Sequence, residues 1–344
     1  MVKLKDIAEQ TGVTISTVSA ALNGRGNMSP ETRERLIEAA RRMGYAPNQA
    51  ARQLRNKPAV DVALVISDSR HNLRLSGTYL VHISEFLDYC RERDLSQRIE
   101  FFTEDENGTS IPETIRDRVA RGIIHVGFVR PGLQRFLEEH PDYPLVNFGE
   151  PGIHCVRSAM ESGAYRVVEH LAGLGVKRIL VSGGPRRFDY HRQLRCGAER
   201  AIRDFGLIPV AREFQNELQT DEVGKLPFMR ATVEWARRVL ESGPRPEAVF
   251  CSGSFPGRAL AMVALEKRIA IPAELKIVTV GIVHAGSGSY PELTSLEHNY
   301  AGMMREAFGI LDRIWDGGGR RGIEILVEPE LVVQTSTAGM PQLQ

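Results

Sequence analysis

Apolar residues recur in two rhythms along this chain, a helical one over the first fifty-odd positions and a short, continuous one after them. In the opening stretch Ile7, Ala8, Val13, Val18 and Leu22 are the apolar positions around a break at Gly12, a pattern that predicts two short helices joined by a tight turn. Glycine supplies the positive φ such a turn needs, and Ala8 is small where two helices cross. Thr14 is placed to accept a backbone N–H as N-cap of the second helix. Ile15, Ser16, Thr17, Ser19 and Ala20 are then left facing outward. Ser29-Pro30-Glu31 combines an N-cap, a proline at the first helical position and an acid in the first turn, so a third helix starts there, with Leu36, Ala40 and Met43 on one face and Gly44 as its stop. Tyr45-Ala46-Pro47 is a break. Asn48 is able to cap a further short helix over 49–55, which Lys57-Pro58 ends.

Beyond Pro58 the apolar runs shorten and become continuous. They predict strands at 60–66, 99–102, 123–129, 145–148, 178–181, 248–251, 276–280, 295–298, 323–327 and 331–333. Amphipathic segments between them predict helices at 77–93, 111–121, 133–140, 161–174, 191–205, 227–241, 257–267 and 301–315. Strands that are apolar throughout imply burial on both faces, hence parallel sheets covered by helices. Alternating βα units in this number give two doubly wound lobes. In such folds ligands sit on the loops after the strands' carboxyl ends, here Ser67-Asp68-Ser69-Arg70-His71, Arg130-Pro131, Gly149-Glu150, 182–187, Ser252-Gly253-Ser254 and 281–284.

The words Lys5-Asp6-Ile7-Ala8, Gly12-Val13, Thr17-Val18-Ser19, Leu22-Asn23-Gly24, Ser29-Pro30-Glu31-Thr32-Arg33, Gly44-Tyr45-Ala46-Pro47-Asn48 and Ala51-Arg52-Gln53-Leu54 resemble the DNA-binding headpiece and hinge of the lactose-repressor/galactose-repressor (LacI/GalR) family of bacterial regulators. Leu174-Gly175-Val176-Lys177-Arg178-Ile179, Ser182-Gly183-Gly184-Pro185 and Pro329-Glu330-Leu331-Val332-Val333 resemble that family's effector core, so the likeness spans nearly the whole chain. It implies an N-terminal all-α helix-turn-helix headpiece with a hinge helix, then an α/β two-lobed core like the periplasmic binding proteins, built on two doubly wound parallel sheets. The expected boundaries are a headpiece over 1–47, a hinge over 48–57, a first lobe from 60–157 with 291–319, a second lobe from 158–290 with 320–338, and a tail at 339–344. Three crossovers are expected, near 156–160, 284–294 and 318–324.

Charge agrees with this division. The whole chain carries only +1, but residues 1–57 carry +5 and the remainder −4. A basic head on a slightly acidic body suits a phosphate-binding module joined to something that does not bind nucleic acid. With 42% hydrophobic and 25% charged residues the composition is ordinary and globular. No apolar run is long enough for a membrane span. Lys3, Lys5 and Asp6 precede any apolar run, unlike a secretory signal, and the expected location is the cytoplasm. Cys90, Cys155, Cys196 and Cys251 show neither pairing nor metal spacing and read as reduced thiols. The histidines are scattered, and no phosphate loop, nucleophile elbow or zinc-protease motif occurs, so no cofactor, metal or catalytic set is expected. A solute-binding protein for transport and a nucleotide-dependent α/β enzyme are the two competing classes. The headpiece opposes the first and the missing phosphate loop the second.

What the resemblance implies is a non-enzymatic transcriptional regulator, expected to act as a homodimeric repressor on palindromic double-stranded operator DNA. Thr17, Ser19 and Asn23, with Thr14, Arg33, Asn48, Ala51 and Arg52 around them, would meet the DNA backbone. Ile15, Ser16 and Ala20 would lie against base edges, and Leu54 would wedge the minor groove. The effector loops depart from the family. Ser252-Gly253-Ser254-Phe255 replaces the usual Asn-Asp, Ile282-Val283-His284 replaces acids after Gly281, Val156-Arg157-Ser158 replaces Val-Asp-Asn, and Leu194 stands where an arginine is common. The set expected to meet the effector is Ser69, Arg70, His71, Phe148, Arg187, Arg192, Ser254 and His284. With Arg157 and Arg186 nearby, this set favours an anionic sugar derivative; a neutral polyol, or no small effector, stays open.

Overall fold

The computed structural model describes residues 4–22, 28–43, 60–68, 78–103, 105–210, 226–241, 243–281, 290–317 and 322–338. The chain divides into two compact units, Met1–Lys57 and Pro58–Gln344.

In the first unit α1 (Leu4–Thr11), α2 (Ile15–Leu22) and α3 (Pro30–Arg42) pack on a core of Ile7, Ala8, Val18, Ala21, Leu36, Ala39 and Ala40. Four of those seven are alanines, which lets short helices approach closely. Gly12 takes φ +69°, and a Cβ there would touch nothing, so its role is conformational rather than steric. Thr14 Oγ1 accepts from the Thr17 backbone N–H at 3.2 Å, and Ser29 Oγ accepts from Thr32 N–H at 3.2 Å. These are the N-caps of α2 and α3. Replacing Thr14 or Ser29 by alanine is therefore expected to cost about 1 kcal/mol each, read as lowered hydrogen-exchange protection of α2 or α3 respectively in the full chain.

The second unit holds two six-stranded sheets. The first has the order β11-β5-β4-β3-β1-β2, with β1 Val60–Asp68, β2 Gln97–Thr103, β3 Ala120–Val126, β4 Leu145–Phe148, β5 Cys155–Ser158 and β11 Glu324–Val327, all parallel. Helices α4 (Thr78–Glu92) and α11 (Tyr300–Trp315) supply apolar side chains to one core of this lobe, around Phe86, Phe148, Met303 and Phe308. The short α5 (Glu113–Arg116) and α6 (Pro131–Glu139) supply another, around Ile115, Ile123, Leu133 and Leu145. The second sheet has the order β12-β10-β9-β8-β6-β7, with β6 Arg178–Ser182, β7 Ile208–Pro209, β8 Ala248–Cys251, β9 Lys276–Gly281, β10 Thr294–Glu297 and β12 Glu330–Val332. Its helices α7 (Met160–Gly173) and α8 (Asp189–Asp204) share one core with Phe250, Val278 and Leu296. Those on the other face, α9 (Leu226–Glu241) and α10 (Ser254–Glu266), share a core with Trp235, Val249 and Leu293. A one-turn α12 (Thr335–Ala338) closes the described chain.

Several expectations need correcting. The chain crosses between lobes after β5, after β10 and after β11. Residues 294–297 therefore belong to the second sheet, where Leu293 and Leu296 feed opposite cores. Residues 324–327 belong to the first, where Ile325 and Val327 pack against its core. The second lobe is not purely parallel, because β12 runs antiparallel to β10. Only Glu328 and Pro329 separate β11 of the first sheet from β12 of the second, so the chain enters the second lobe here with no helix between the two strands. The expected helix at 111–121 shrinks to Glu113–Arg116. Arg118 takes φ +53° and turns the chain into β3, which starts at Ala120. Strands β5 and β7 were not expected.

Candidate nucleic-acid interface and interlobe cleft

On the headpiece, Thr14 and Thr17 form a local pair, their hydroxyl oxygens 2.8 Å apart. Ile15 opens α2 with 47% of its surface exposed, unusual for an isoleucine in so small a unit. Ser16, Ser19 and Ala20 lie along the same helix. Arg33 lies in the first turns of α3, its N–H bonded to the Ser29 carbonyl at 3.1 Å. Asn23, Asn48, Ala51, Arg52 and Leu54 fall outside the described residues, as do Ser69, Arg70, His71 and His284 of the effector set.

The lobes meet through a charged cluster and an aromatic one. Glu150 follows β4 in the first lobe and is 8% exposed. Both its carboxylate oxygens accept from the backbone N–H of Asp189, the first residue of α8 in the second lobe, at 3.2 Å. Phe188 at the N-cap of α8 has no side-chain cap to offer, so Glu150 caps the helix from across the lobe boundary. Asp189, also 8% exposed, accepts from Arg157 of β5, from Gln193, and from Arg192 at 2.8 Å. Arg157 also donates to Glu324 of β11. Burial pushes the Asp189 carboxyl up, but the bonds from Gln193 and Arg157 outweigh it and hold it below the ordinary value. Burial dominates at Glu150, whose carboxyl is pushed up to about 7, with the Asp189 charge adding to the rise.

This geometry revises the cationic reading. Arg192 is committed to its own loop, donating to the Arg186 and Arg187 carbonyls at 3.0 and 2.9 Å and to Asp189. Arg157 is matched by two carboxylates. Arg187 lies over the rings of Phe128 and Phe188, 5.8 and 4.8 Å from their centroids, and those two rings, one from each lobe, are 5.2 Å apart. Phe148 is 2% exposed and belongs to the first lobe's core, edge-on to His82 at 5.1 Å. It supports cleft residues rather than meeting solvent. Ser254 begins α10 and is half-buried.

Residues that carried no signal in the sequence lie where the two lobes meet. His82, Tyr300, His298, Tyr190 and His191 form a chain of ring contacts with successive centroids 4.6, 5.1, 5.6 and 3.8 Å apart. Burial holds all three imidazoles neutral, pushing His82 and His191 down to about 3 and His298 to about 4. Neither ring nitrogen of His82, nor Nδ1 of His191, has a hydrogen-bond partner among the described residues. Buried polar atoms in that state are where a polar ligand or water belongs. A separate ladder runs across the first sheet: Ser67 Oγ lies 2.9 Å from His125 Nε2, and His125 Nδ1 lies 2.7 Å from Asn147 Oδ1. Asn147 donates through Nδ2 to the carbonyls of Glu150 and Pro151. Its Oδ1 must therefore accept, which puts the His125 proton on Nδ1 and makes Ser67 the donor to Nε2. The ladder fixes the loop that carries Glu150. Ser67 and His125 also line a small open pocket together with Phe102, Gly108, Phe128 and Arg130.

A capped helix-turn-helix in one unit and a bilobal α/β core with a polar cleft in the other define a DNA-binding protein with a ligand-binding core. Comparison with known proteins agrees. Residues 3–48 match the family described as bacterial regulatory proteins, lacI family, and residues 168–337 match the periplasmic binding protein-like domain. Among curated relatives, the transcriptional regulator AglR of Rhizobium meliloti is 26% identical over 99% of this chain and 95% of its own. Catabolite control protein A of Staphylococcus xylosus is 25% identical over 86% and 87%. Among solved structures, the lac repressor dimer bound to operator and an anti-inducer superposes with TM-score 0.66 at 20% identity, covering 98% of this chain and 99% of that one. The regulator CelR in complex with cellobiose gives 0.65 at 22%, covering 98% and 100%. The chain belongs to the LacI family of transcriptional regulators, with a DNA-binding headpiece and an effector-binding core, and it is not an enzyme. Among the described residues no helix is long and apolar enough to cross a membrane.

Proposed function

We propose that this regulator is a homodimeric repressor that reads an inverted-repeat operator and answers to a small polar effector held between its lobes. The observation that carries the DNA half is α2, capped by Thr14 and presenting Ile15 to solvent on a unit of net charge +5. Ile15, Ser16 and Ala20 would face bases, Thr17, Ser19, Asn23, Arg33 and Arg52 phosphates, and Leu54 the minor groove. The dimer half is supported by apolar side chains left in water on the core. Leu80 is 71% exposed on α4 and Phe101 52% on the edge strand β2, with Met262 and Leu265 on α10. The lac repressor structure it resembles is described as a dimer on operator.

For the effector, three neutral imidazoles and the phenols of Tyr190 and Tyr300 suit hydroxyl groups, which donate and accept alike. An anionic group would be met by Arg187, which lies over Phe128 and Phe188 where the two lobes meet. A sugar derivative fits this set, in line with the cobound cellobiose of CelR. The effector would then lie between the lobes built on the first and second sheets. Selection of genomic fragments by the purified protein, followed by melting-temperature shifts with neutral sugars, sugar acids and phosphosugars, tests both halves. Recovery of an inverted repeat and a shift from a sugar-class compound are expected. No enriched DNA at low salt overturns the operator reading; an effector of unrelated chemistry overturns the sugar reading alone.

A further inference from the structure

We propose that Glu150 is a proton-operated latch between the two lobes, so that closure of the effector cleft is coupled to pH. Two buried carboxyls, Glu150 from the first lobe and Asp189 from the second, share one desolvated boundary. The side-chain donors there are divided unequally. Asp189 receives Arg157, Arg192 and Gln193, whereas the bonds given to Glu150 come from the backbone N–H of Asp189. The groups facing Glu150 are Asp189, Tyr190 and Arg192 of α8 and Arg157 of β5, with Glu324 of β11 beyond Arg157. Of the two acids, Glu150 is the one that gains from a proton: neutral, it still accepts the Asp189 N–H, and it no longer opposes the Asp189 charge.

The sign follows from where the proton sits. In the closed cleft the Glu150 carboxyl holds its proton up to about pH 7. In an opened cleft it faces water and returns to the ordinary carboxylate range. The closed form therefore binds the extra proton, closure is favoured below neutrality, and the advantage is lost as pH rises through 7. Buried groups that titrate near neutrality are a recognised means of switching a two-state element. The latch rests on the reading of the cleft as the moving part of a regulator, yet it needs no effector to be observed.

Hydrogen exchange of the first turn of α8 is the direct test, because the Asp189 amide is free to exchange only when the latch opens. Protection factors, corrected for intrinsic exchange and referenced to β6, are compared at pH 6 and 8 in the ligand-free full chain. For a group titrating near 7, linkage gives about a tenfold loss of protection across that range. Glu150→Gln, neutral at both values, is expected to show less than a twofold change, with β6 protection reporting that it is folded. Asp189→Asn, which removes the like charge, is expected to move the transition to lower pH. Equal protection of the wild type at both pH values overturns the latch, and so does an undiminished pH response in Glu150→Gln. Operator affinity measured at the same two pH values tests the regulator reading separately, since the exchange at Asp189 is followed in the absence of DNA.

Discussion

Gly197→Ala is expected to unfold the second lobe at temperatures where the wild type is intact. Gly197 lies in α8 where it crosses α7, and a Cβ built there would overlap the carbonyl oxygen of Glu161, with the Glu161 carbonyl carbon at 2.8 Å and its Cα at 3.0 Å. These are backbone atoms, so no side chain can rotate away, and the helices must separate. That separation opens the core shared by Met160, Ala164, Leu194, Ala198 and Ala201. Alanine gains about 1 kcal/mol of helix propensity over glycine. Overpacking costs about 1–3 kcal/mol where side chains can yield and more where backbone must move. The expected net loss is about 3 kcal/mol, seen as a lower urea midpoint. Gly309→Ala is the control: the glycine sits within α11, and a Cβ there would meet nothing within 4 Å. It should leave the midpoint level or raise it. An unchanged midpoint in Gly197→Ala would mean that α7 and α8 do not cross this closely.

Sequence pattern was most informative where an element buries both faces. The strand 248–251 coincides with β8 because every residue in it is buried and apolarity is continuous, and 145–148 coincides with β4 although buried Asn147 interrupts its apolar run. It failed where a tertiary partner alters what a residue is worth. β5 was invisible because Arg157 interrupts its four residues; the arginine is tolerated there only because Asp189 and Glu324 come from elsewhere to meet it. The helix over 111–121 was over-read because Ile111 and Ile115 pack into the first lobe's core from a loop and a single turn. At the cleft, the loop Gly149-Glu150 was legible as a strand end, and Arg192 as a cation. That one would be spent on neighbouring carbonyls while the other capped a helix of the opposite lobe depends on contacts between residues 39 positions apart. No local pattern encodes such a contact. His82 and His298 carried no signal for the same reason: a lone histidine on a helix or crossover reads alike whether it packs, ligates or faces water.

The headpiece should make binding to DNA steeply salt-dependent, and the dependence can be taken apart residue by residue. Each phosphate neutralised by a basic side chain releases condensed counterions and adds about 0.9 to the log–log slope. A dimer placing two headpieces of net charge +5 on DNA has cations enough for six or more such contacts. Affinity should then fall about a thousandfold or more between roughly 50 and 200 mM salt. Arg33→Ala should reduce the slope by about one for each headpiece engaged, and weaken binding evenly across operator variants. Ile15→Ala should behave in the opposite way. Ile15 is exposed and carries no hydrogen-bonding group, so in the major groove it meets thymine methyls or nothing. Its loss should leave the slope unchanged while flattening the preference at one base pair in each half-site. Fluorescence anisotropy against a set of single-base operator variants at several salt concentrations separates the two effects. If Ile15→Ala instead changed the slope and kept the base preference, α2 would lie along the backbone and some other element would read the bases. If neither substitution altered slope or preference, the headpiece surface built by α2 and α3 would not be the one that meets DNA.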